Sequence, residues 1–333
     1  MATIAAHTAR MNTKTAAINK ALPSRRASAS KTFEIQPLGN YSLEESANFI
    51  GAWHKTPSEG GVVEGHLHLA FLTDGDWEPV GVCLMQDAAG TIRGTVYGDA
   101  DIDAVERQVS RILSLDVDGR GWPEVGTRDP VVARLQRMFG GFRPVNWSNA
   151  YEATAWCLIS SRITMRQGQG IKDRMSRELG REVDVHGQAL WVFPEPARLI
   201  ELETFAGLFG RKVEYLNALG HAALAGALDT EMLRAMPREE SLAKLQELKG
   251  IGEFGSQLVR LRALSAVDEL PTKEPRLFGA IRTEYGLARE PDVAKVEELA
   301  EAWRPYRMWV CVCLRRSAGG GAGMTHSRAS RSD

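Results

Sequence analysis

LKGIGEFGSQLVRLRALSAVDELPTKEPRL, residues 248–277, decides the fold. Upstream, EESLAKLQELK places Leu242, Leu245 and Leu248 on one helical face. Downstream, GEFGSQLVRLRAL places Phe254, Leu258 and Leu261 on another. Only residues 249–252 lie between them, so two helices meet at a turn of the form Gly-hydrophobic-Gly. One glycine ends most helices. Two, at Gly250 and Gly252, allow either tight packing or the close approach of something outside the chain. Successive N–H groups at the start of the second helix form an anion site from backbone alone, and a phosphate suits it. Ile251 is the expected apolar anchor beneath the turn. Taken alone, a packing turn explains these residues as well.

Glu274 comes next. It precedes Pro275, so its backbone is expected to be extended. Pro275 suits the first position of a helix through RLFGAIRTEY, which makes Glu274 the N-cap. The free N–H groups and dipole of that helix favour the ionised carboxylate. A carboxylate fixed near a phosphate-gripping turn is placed to stabilise a developing cation. An ordinary capping or surface glutamate beside Lys273 is the plain alternative.

Outward from this stretch the chain divides. From about Asp129 it reads as helices joined by short polar turns, with no strands expected. DPVVARLQRMF has an Asp cap and a Pro start, and the long run from Asn149 is expected to break near Ser160–Thr164. Gly168 and Gly170 lie inside that helical run, where each costs about 1 kcal/mol, and the sequence offers no account of them. Before Leu115 the pattern is mixed. FEIQPL, LHLAFL, VGVCLMQ and TIRGTVYG read as strands, while SLEESANFIGAW and DIDAVERQVSRILSL read as helices. The fold class is therefore α+β, with a small mixed domain at 32–120 and an all-α domain at 121–316. Residues 1–31 hold six Lys/Arg and no acid. They read as a disordered basic tail, or as a transit peptide. Residues 317–333 read as a flexible tail.

The 333 residues carry a formal net charge of −1, so any nucleic-acid binding must be local. No apolar run approaches the roughly 20 residues that span a bilayer. Cys83, Cys157, Cys311 and Cys313 fit neither zinc nor iron–sulfur spacing and read as buried or free thiols. His66 and His68 share a strand face and suit a metal, but with no third ligand near them in sequence they read as ordinary strand residues.

LKGIG followed 24 residues after its first glycine by an acid, with Pro271-Thr272-Lys273-Glu274 in place of Pro-x-x-Asp, resembles the helix-hairpin-helix (HhH-GPD) DNA glycosylases. The nearest group is the 3-methyladenine DNA glycosylase II type. DPVVARLQRMF, YEATAWCLISSRIT, FPEPARLIEL, RKVEYLNALGHAALAG and WRPYRMWV resemble its segments in order, so the likeness covers about residues 33–316. It implies a TBP-like half at 32–120. It implies DNA phosphate on the backbone of Gly250, Ile251, Gly252 and Gly255, and a Na+ or K+ on the carbonyls of Lys249 and Ile251, with no other cofactor. Arg162 is then the wedge into the duplex, with Ser161 in place of the usual Gln. A damaged base is flipped into a pocket, and Glu274 stabilises an oxocarbenium-like sugar.

The partner implied is double-stranded DNA carrying damaged bases, bound by a monomer with no membrane. The location implied is the cytoplasm, at a bacterial nucleoid, or an organelle if residues 1–31 are a transit peptide. Phe254 stands where bifunctional relatives carry a lysine, which implies no lyase activity and a contact to the base instead. Two departures stand out. Glu274 replaces the usual Asp, and Leu314-Arg315 occupies the place of a base-stacking aromatic. Trp156 and Trp309 are the expected substitutes in the base pocket. The reading is a monofunctional alkylpurine glycosylase. The alternatives are a damage-binding protein with weak or no catalysis, and an unrelated helical protein.

Overall fold

The computed structural model describes residues 31–53, 60–63 and 65–320. The basic tail expected at 1–31 lies outside the described residues except for Lys31, which opens the first strand. The tail expected at 317–333 lies outside them beyond residue 320.

Strand β1 (Lys31–Ile35) leads to α1 (Leu43–Trp53), whose first turn is capped by the Ser42 hydroxyl accepting from Glu45 N at 3.1 Å. Then follow β2 (Gly60–Val63), β3 (His66–Leu72), β4 (Pro79–Gln86) and β5 (Ile92–Tyr97). Together they form one antiparallel sheet in the order β1-β5-β4-β3-β2. Strand β2 was not expected; Gly60-Gly61 hides it from a propensity reading. Helix α2 (Ile102–Ile112) closes the unit, with the Asp101 carboxylate accepting from Ala104 N.

The sheet is buried on both faces. Leu67, Leu69, Phe71, Val80, Val82 and Leu84 face a core shared with α1, α2 and the C-terminal helices. His68, Ala70, Leu72 and Cys83 alternate with them and face the other way. The near-continuous apolar run of LHLAFL follows from this two-sided burial.

Helices α3 (Trp122–Arg128) and α4 (Pro130–Met138) follow. Asp129 caps α4, accepting from Val131 N and Val132 N, and also accepts from Trp303 Nε1 at 2.9 Å and from the Tyr285 hydroxyl. The expected break in the long helical run is present, giving α5 (Ala150–Ser160) and α6 (Met165–Leu179). Thr164 and Gln167 form a reciprocal capping box at the start of α6.

The expectation that strands end before residue 129 is overturned. β6 (Glu182–Val185) and β7 (Gln188–Trp191) form an antiparallel hairpin. His186 and Gly187 make its two-residue turn with φ of 53° and 83°, both in the left-handed region that this turn type requires. The hairpin lies on the sheet at Gly81, where a Cβ would stand 2.3 Å from Val185 Cγ2. That contact over sequence distance, not local periodicity, fixes it as strand.

The remaining helices are α7 (Pro196–Ile200), α8 (Lys212–Leu224), α9 (Thr230–Ala235), α10 (Arg238–Gln246), α11 (Glu253–Arg262), α12 (Pro275–Glu284), α13 (Val293–Ala300) and α14 (Arg307–Arg315). The last long helical run is split at Arg304-Pro305, since proline supplies no N–H. A second core joins α5, α6, α8 and α11 through Leu158, Ile159, Ile171, Met175, Leu216 and Val259.

Candidate active site: a helical hairpin, an acid and a cavity

The α10–α11 turn holds the two glycines in different roles. Gly250 has φ +85°, and a Cβ there would stand 2.5 Å from the Tyr215 ring. Its reason is internal. Gly252 is extended, is the N-cap of α11, and has nothing within 4 Å of a built Cβ. No described residue requires a glycine there. Ile251 is 7 % exposed and anchors the turn in the second core, as expected. Its amide, however, donates to Leu248 O at 3.1 Å. The assignment of that N–H to a phosphate is therefore corrected.

The amides of Gly252, Glu253, Phe254 and Gly255 donate to no described residue, and Ser256 N is the first to bond, to Gly252 O at 2.9 Å. These four are the open donors of α11. Gly255 is buried against Ile251 and Cys157. The carbonyls of Lys249 and Ile251 accept from no described residue.

Glu274 caps α12 with extended backbone at φ −107° and ψ 97°, and Pro275 takes the first helical position, as expected. Its carboxylate does not bond the amides of α12. Instead it accepts from Arg315 Nε at 3.0 Å. Gln257 on α11 ties the segment before it to the hairpin. Its Nε2 donates to Thr272 Oγ1 at 3.0 Å, and its Oε1 accepts from Lys273 N at 3.2 Å. The hairpin and the acid are thus one mechanical unit. Both sequence departures meet in one contact: the longer acid reaches the arginine that stands where an aromatic was expected.

A cavity of about 160 Å³ opens between the sheet and the helices. That is roughly ten times the space one water needs. Trp147, Trp156, Phe49, Leu258, Glu152 and Arg262 are among its walls. Trp147 and Trp156 stand with ring centroids 5.7 Å apart and tilted by 31°. Glu152 accepts from Lys172 Nζ at 2.7 Å and from the Ser148 hydroxyl. Arg262 donates to Val145 O, and burial pushes its guanidinium down to about 10, an effect that the nearby Glu274 carboxylate opposes. Arg262 thus lines the cavity within electrostatic reach of the acid.

Trp156, expected in the base pocket, lines this cavity. Gly168 on α6 packs on it, since a Cβ there would stand 3.2 Å from Trp156 Cη2. This accounts for one of the two helical glycines; nothing in the structure explains Gly170. Trp309 is corrected. It is 0 % exposed, enclosed by Trp122 and Tyr306 at centroid distances of 5.6 and 4.9 Å, and belongs to the first core. A helix such as α14, apolar between its terminal arginines, does not reveal from sequence which wall a tryptophan faces.

Phe254 is 49 % exposed. It shares a helical stripe with Leu258 and Arg262, at spacings of four, but is not among the residues that line the cavity. Arg162 is exposed with φ 57° in the turn between α5 and α6, pairing with no carboxylate among the described residues. Sequence reasoning missed Arg315, Arg262, Trp147, Glu152 and Lys172. A buried lysine on α6 and a glutamate one turn before Trp156 were the available signals.

No family model matches the chain. Among curated proteins it is similar to the DNA-3-methyladenine glycosylase of Bacillus subtilis, 22% identical over 218 residues, covering 64% of this chain and 72% of that protein. It is also similar to DNA-3-methyladenine glycosylase 1 of Schizosaccharomyces pombe, 22% identical over 215 residues, covering 62% and 88%. Among solved structures, the 3-methyladenine DNA glycosylase from Archaeoglobus fulgidus superposes with a TM-score of 0.73 at 20% identity, covering 88% of this chain and 100% of that one. The Clostridium acetobutylicum 8-oxoguanine glycosylase/lyase bound to double-stranded DNA gives 0.62 at 14% identity, covering 89% and 100%. Relatives and neighbours together support the helix-hairpin-helix DNA glycosylase superfamily.

Proposed function

We propose that this chain is a monofunctional DNA glycosylase that flips alkylated purines of the 3-methyladenine type out of duplex DNA and hydrolyses their N-glycosidic bond. The observation that carries this reading is the Glu274 carboxylate. It is free of its own helix cap, paired with Arg315 and tied through Gln257 to a hairpin whose first four α11 amides are open. A DNA phosphate held by those amides sets the strand, and Gly252 lets it approach. Arg162 wedges into the gap that the flipped nucleotide leaves, at a cost of about a few kcal/mol of unstacking. The sheet region, residues 32–120, serves as the TBP-like half of a monomer. A monovalent cation on the Lys249 and Ile251 carbonyls belongs to the same reading.

An alkylated purine is cationic, so its glycosidic bond is already weak. Trp147 and Trp156 offer it aromatic faces. As the bond lengthens, positive charge moves to the sugar, and the Glu274 carboxylate stabilises it. Water then adds at the anomeric carbon. The extra methylene of Glu relative to Asp moves the carboxylate by roughly 1.5 Å, and the Arg315 contact holds the longer side chain in one place. Phe254 supplies no amine, so no Schiff base forms and the strand stays intact.

The test is base release from methylated duplex DNA, wild type against Glu274→Gln, with borohydride trapping in parallel. Release of 3-methyladenine or 7-methylguanine by wild type alone, with no trapped adduct, is the expected result. Tight lesion binding with no release would favour the damage-binding alternative. A trapped adduct would overturn the monofunctional assignment.

A further inference from the structure

Among the described residues, one group of side chains outside the cavity has the spacing of a metal site. His66 and His68 from β3, Cys83 from β4 and His186 from the β6–β7 turn bring one ligand atom each to within 4.8 Å of one another. The third ligand missing from the local sequence is supplied by a strand 15 residues beyond His68 and by a hairpin more than 100 residues beyond it.

We propose that these four residues bind a zinc-class divalent transition metal, which fastens the β6–β7 hairpin to the sheet. The distances suit it. Cys83 Sγ lies 3.4 Å from His66 Nδ1 and 3.8 Å from His186 Nδ1. In a tetrahedral zinc site, bond lengths of about 2.0–2.1 Å to nitrogen and 2.3 Å to sulfur put nitrogen and sulfur ligands about 3.6 Å apart.

Hydrogen bonds alone leave the cluster unexplained. The Cys83 thiol meets two imidazole nitrogens, and as a weak donor to one and a weak acceptor from the other it satisfies them poorly. His68 is the sharper case. It is 0 % exposed, its Nδ1 bonds Gln188 Oε1 at 2.8 Å, and its Nε2 has no partner. Since a carbonyl oxygen only accepts, Nδ1 carries the proton and Nε2 keeps its lone pair. A buried bare lone pair is costly. A cation answers it, with Gln188 as the outer partner that orients the ring. His186 is exposed and His66 partly so, which leaves an access route from solvent. Their rings stack at 5.4 Å with planes 12° apart.

The donor set of three imidazoles and one thiolate fills a tetrahedron, so the site is a structural clasp with no open position for chemistry. Its mechanical target is visible. The hairpin continues from α6, the helix that begins after Arg162 and presses Gly168 on Trp156. A metal at the far end of α6 holds that helix against the sheet.

The full chain is stripped with a chelator, dialysed and titrated with zinc chloride, and separately with cobalt chloride. The expected result is one equivalent bound per chain, a rise in Tm, and a thiolate-to-cobalt charge-transfer band with tetrahedral d–d absorption. Cys83→Ser removes the charge-transfer band. His186→Asn keeps a residue that tolerates the left-handed turn and weakens binding by more than about tenfold. It decides the matter if the cysteine variant fails to fold. No stoichiometric uptake by wild type at micromolar free zinc overturns the proposal, as does an unchanged affinity and cobalt spectrum in His186→Asn. None of these readouts involves base release, so they stand apart from the glycosylase reading.

Discussion

Two of the molecule's hairpins each turn on a pair of special residues. At the helical hairpin, Gly250 and Gly252 flank one buried isoleucine within a single contiguous motif. At the β6–β7 hairpin, His186 and Gly187 sit at a turn whose partners come from β3 and β4, about a hundred residues earlier. The first hairpin leaves backbone donors open toward solvent. The second leaves a buried imidazole nitrogen without a hydrogen-bond partner. Local chemistry makes the first legible in sequence. Only the fold makes the second, because a metal-ligand set gathered from two strands and a turn has no spacing to read.

The largest effect belongs to the helical hairpin's acid. Glu274→Gln is expected to lower single-turnover base release by about 10²-fold or more, as removal of a preorganised transition-state stabiliser does, while lesion binding stays within a few-fold. Equal release by the variant would detach the acid from the hairpin and break the comparison on its catalytic side.

Next comes the glycine pair itself. Gly250→Ala forces φ +85° on a residue with a Cβ and drives that Cβ into the Tyr215 ring. Strain of this kind costs about 1–3 kcal/mol, to be read as a lower urea midpoint. Gly252→Ala meets open space, so its unfolding free energy is expected to stay within about 0.5 kcal/mol of wild type. Its affinity for duplex DNA should still fall, by about tenfold, because the added methyl stands between phosphate and amides. If Gly252→Ala leaves DNA affinity unchanged, both glycines serve packing alone.

Arg315 sharpens the same side. Arg315→Met is expected to slow release by about tenfold, since a looser carboxylate loses part of its positioning. In the Glu274→Gln background the same change should add almost nothing, because the carboxylate that Arg315 positions is already gone. Additive losses would mean that Arg315 acts on DNA directly and not through the acid.

Much of this was legible before the structure. The Asp129 cap, the Pro275 start, the break after Ser160 and the Ile251 anchor follow from capping chemistry and periodicity, and all are present. What periodicity does not carry is which neighbour a buried face meets. Trp156 and Trp309 both lie on helices that are apolar nearly all round, so the sequence treats them alike. One walls the cavity and the other fills the core. Glu152, one turn before Trp156 and the one charged residue of its helix, was the local mark of the difference. Strand β6 was missed for the same reason: it exists because Gly81 opens a seat for Val185.

Gly168 carries the smallest effect, and it joins the two hairpins. It lies on α6, between the wedge turn at Arg162 and the strand that leads to His186. Alanine there gains about 1 kcal/mol of helix propensity. Against this, its methyl meets Trp156 Cη2 and Ser160 Cβ at 3.2 Å, tighter than an ordinary contact. The indole has to give by a few tenths of an ångström, and it borders a cavity with room for that movement. The two terms nearly cancel, so Gly168→Ala is expected to change unfolding free energy by less than about 1 kcal/mol. The displaced ring should instead alter the ratio of 3-methyladenine to 7-methylguanine released, by about two- to threefold. A strong destabilisation with an unchanged ratio would mean that the ring cannot move and that α6 is positioned by Trp156 rather than the reverse. In that case the clasp at the far end of α6 has little to transmit, and the two hairpins work independently.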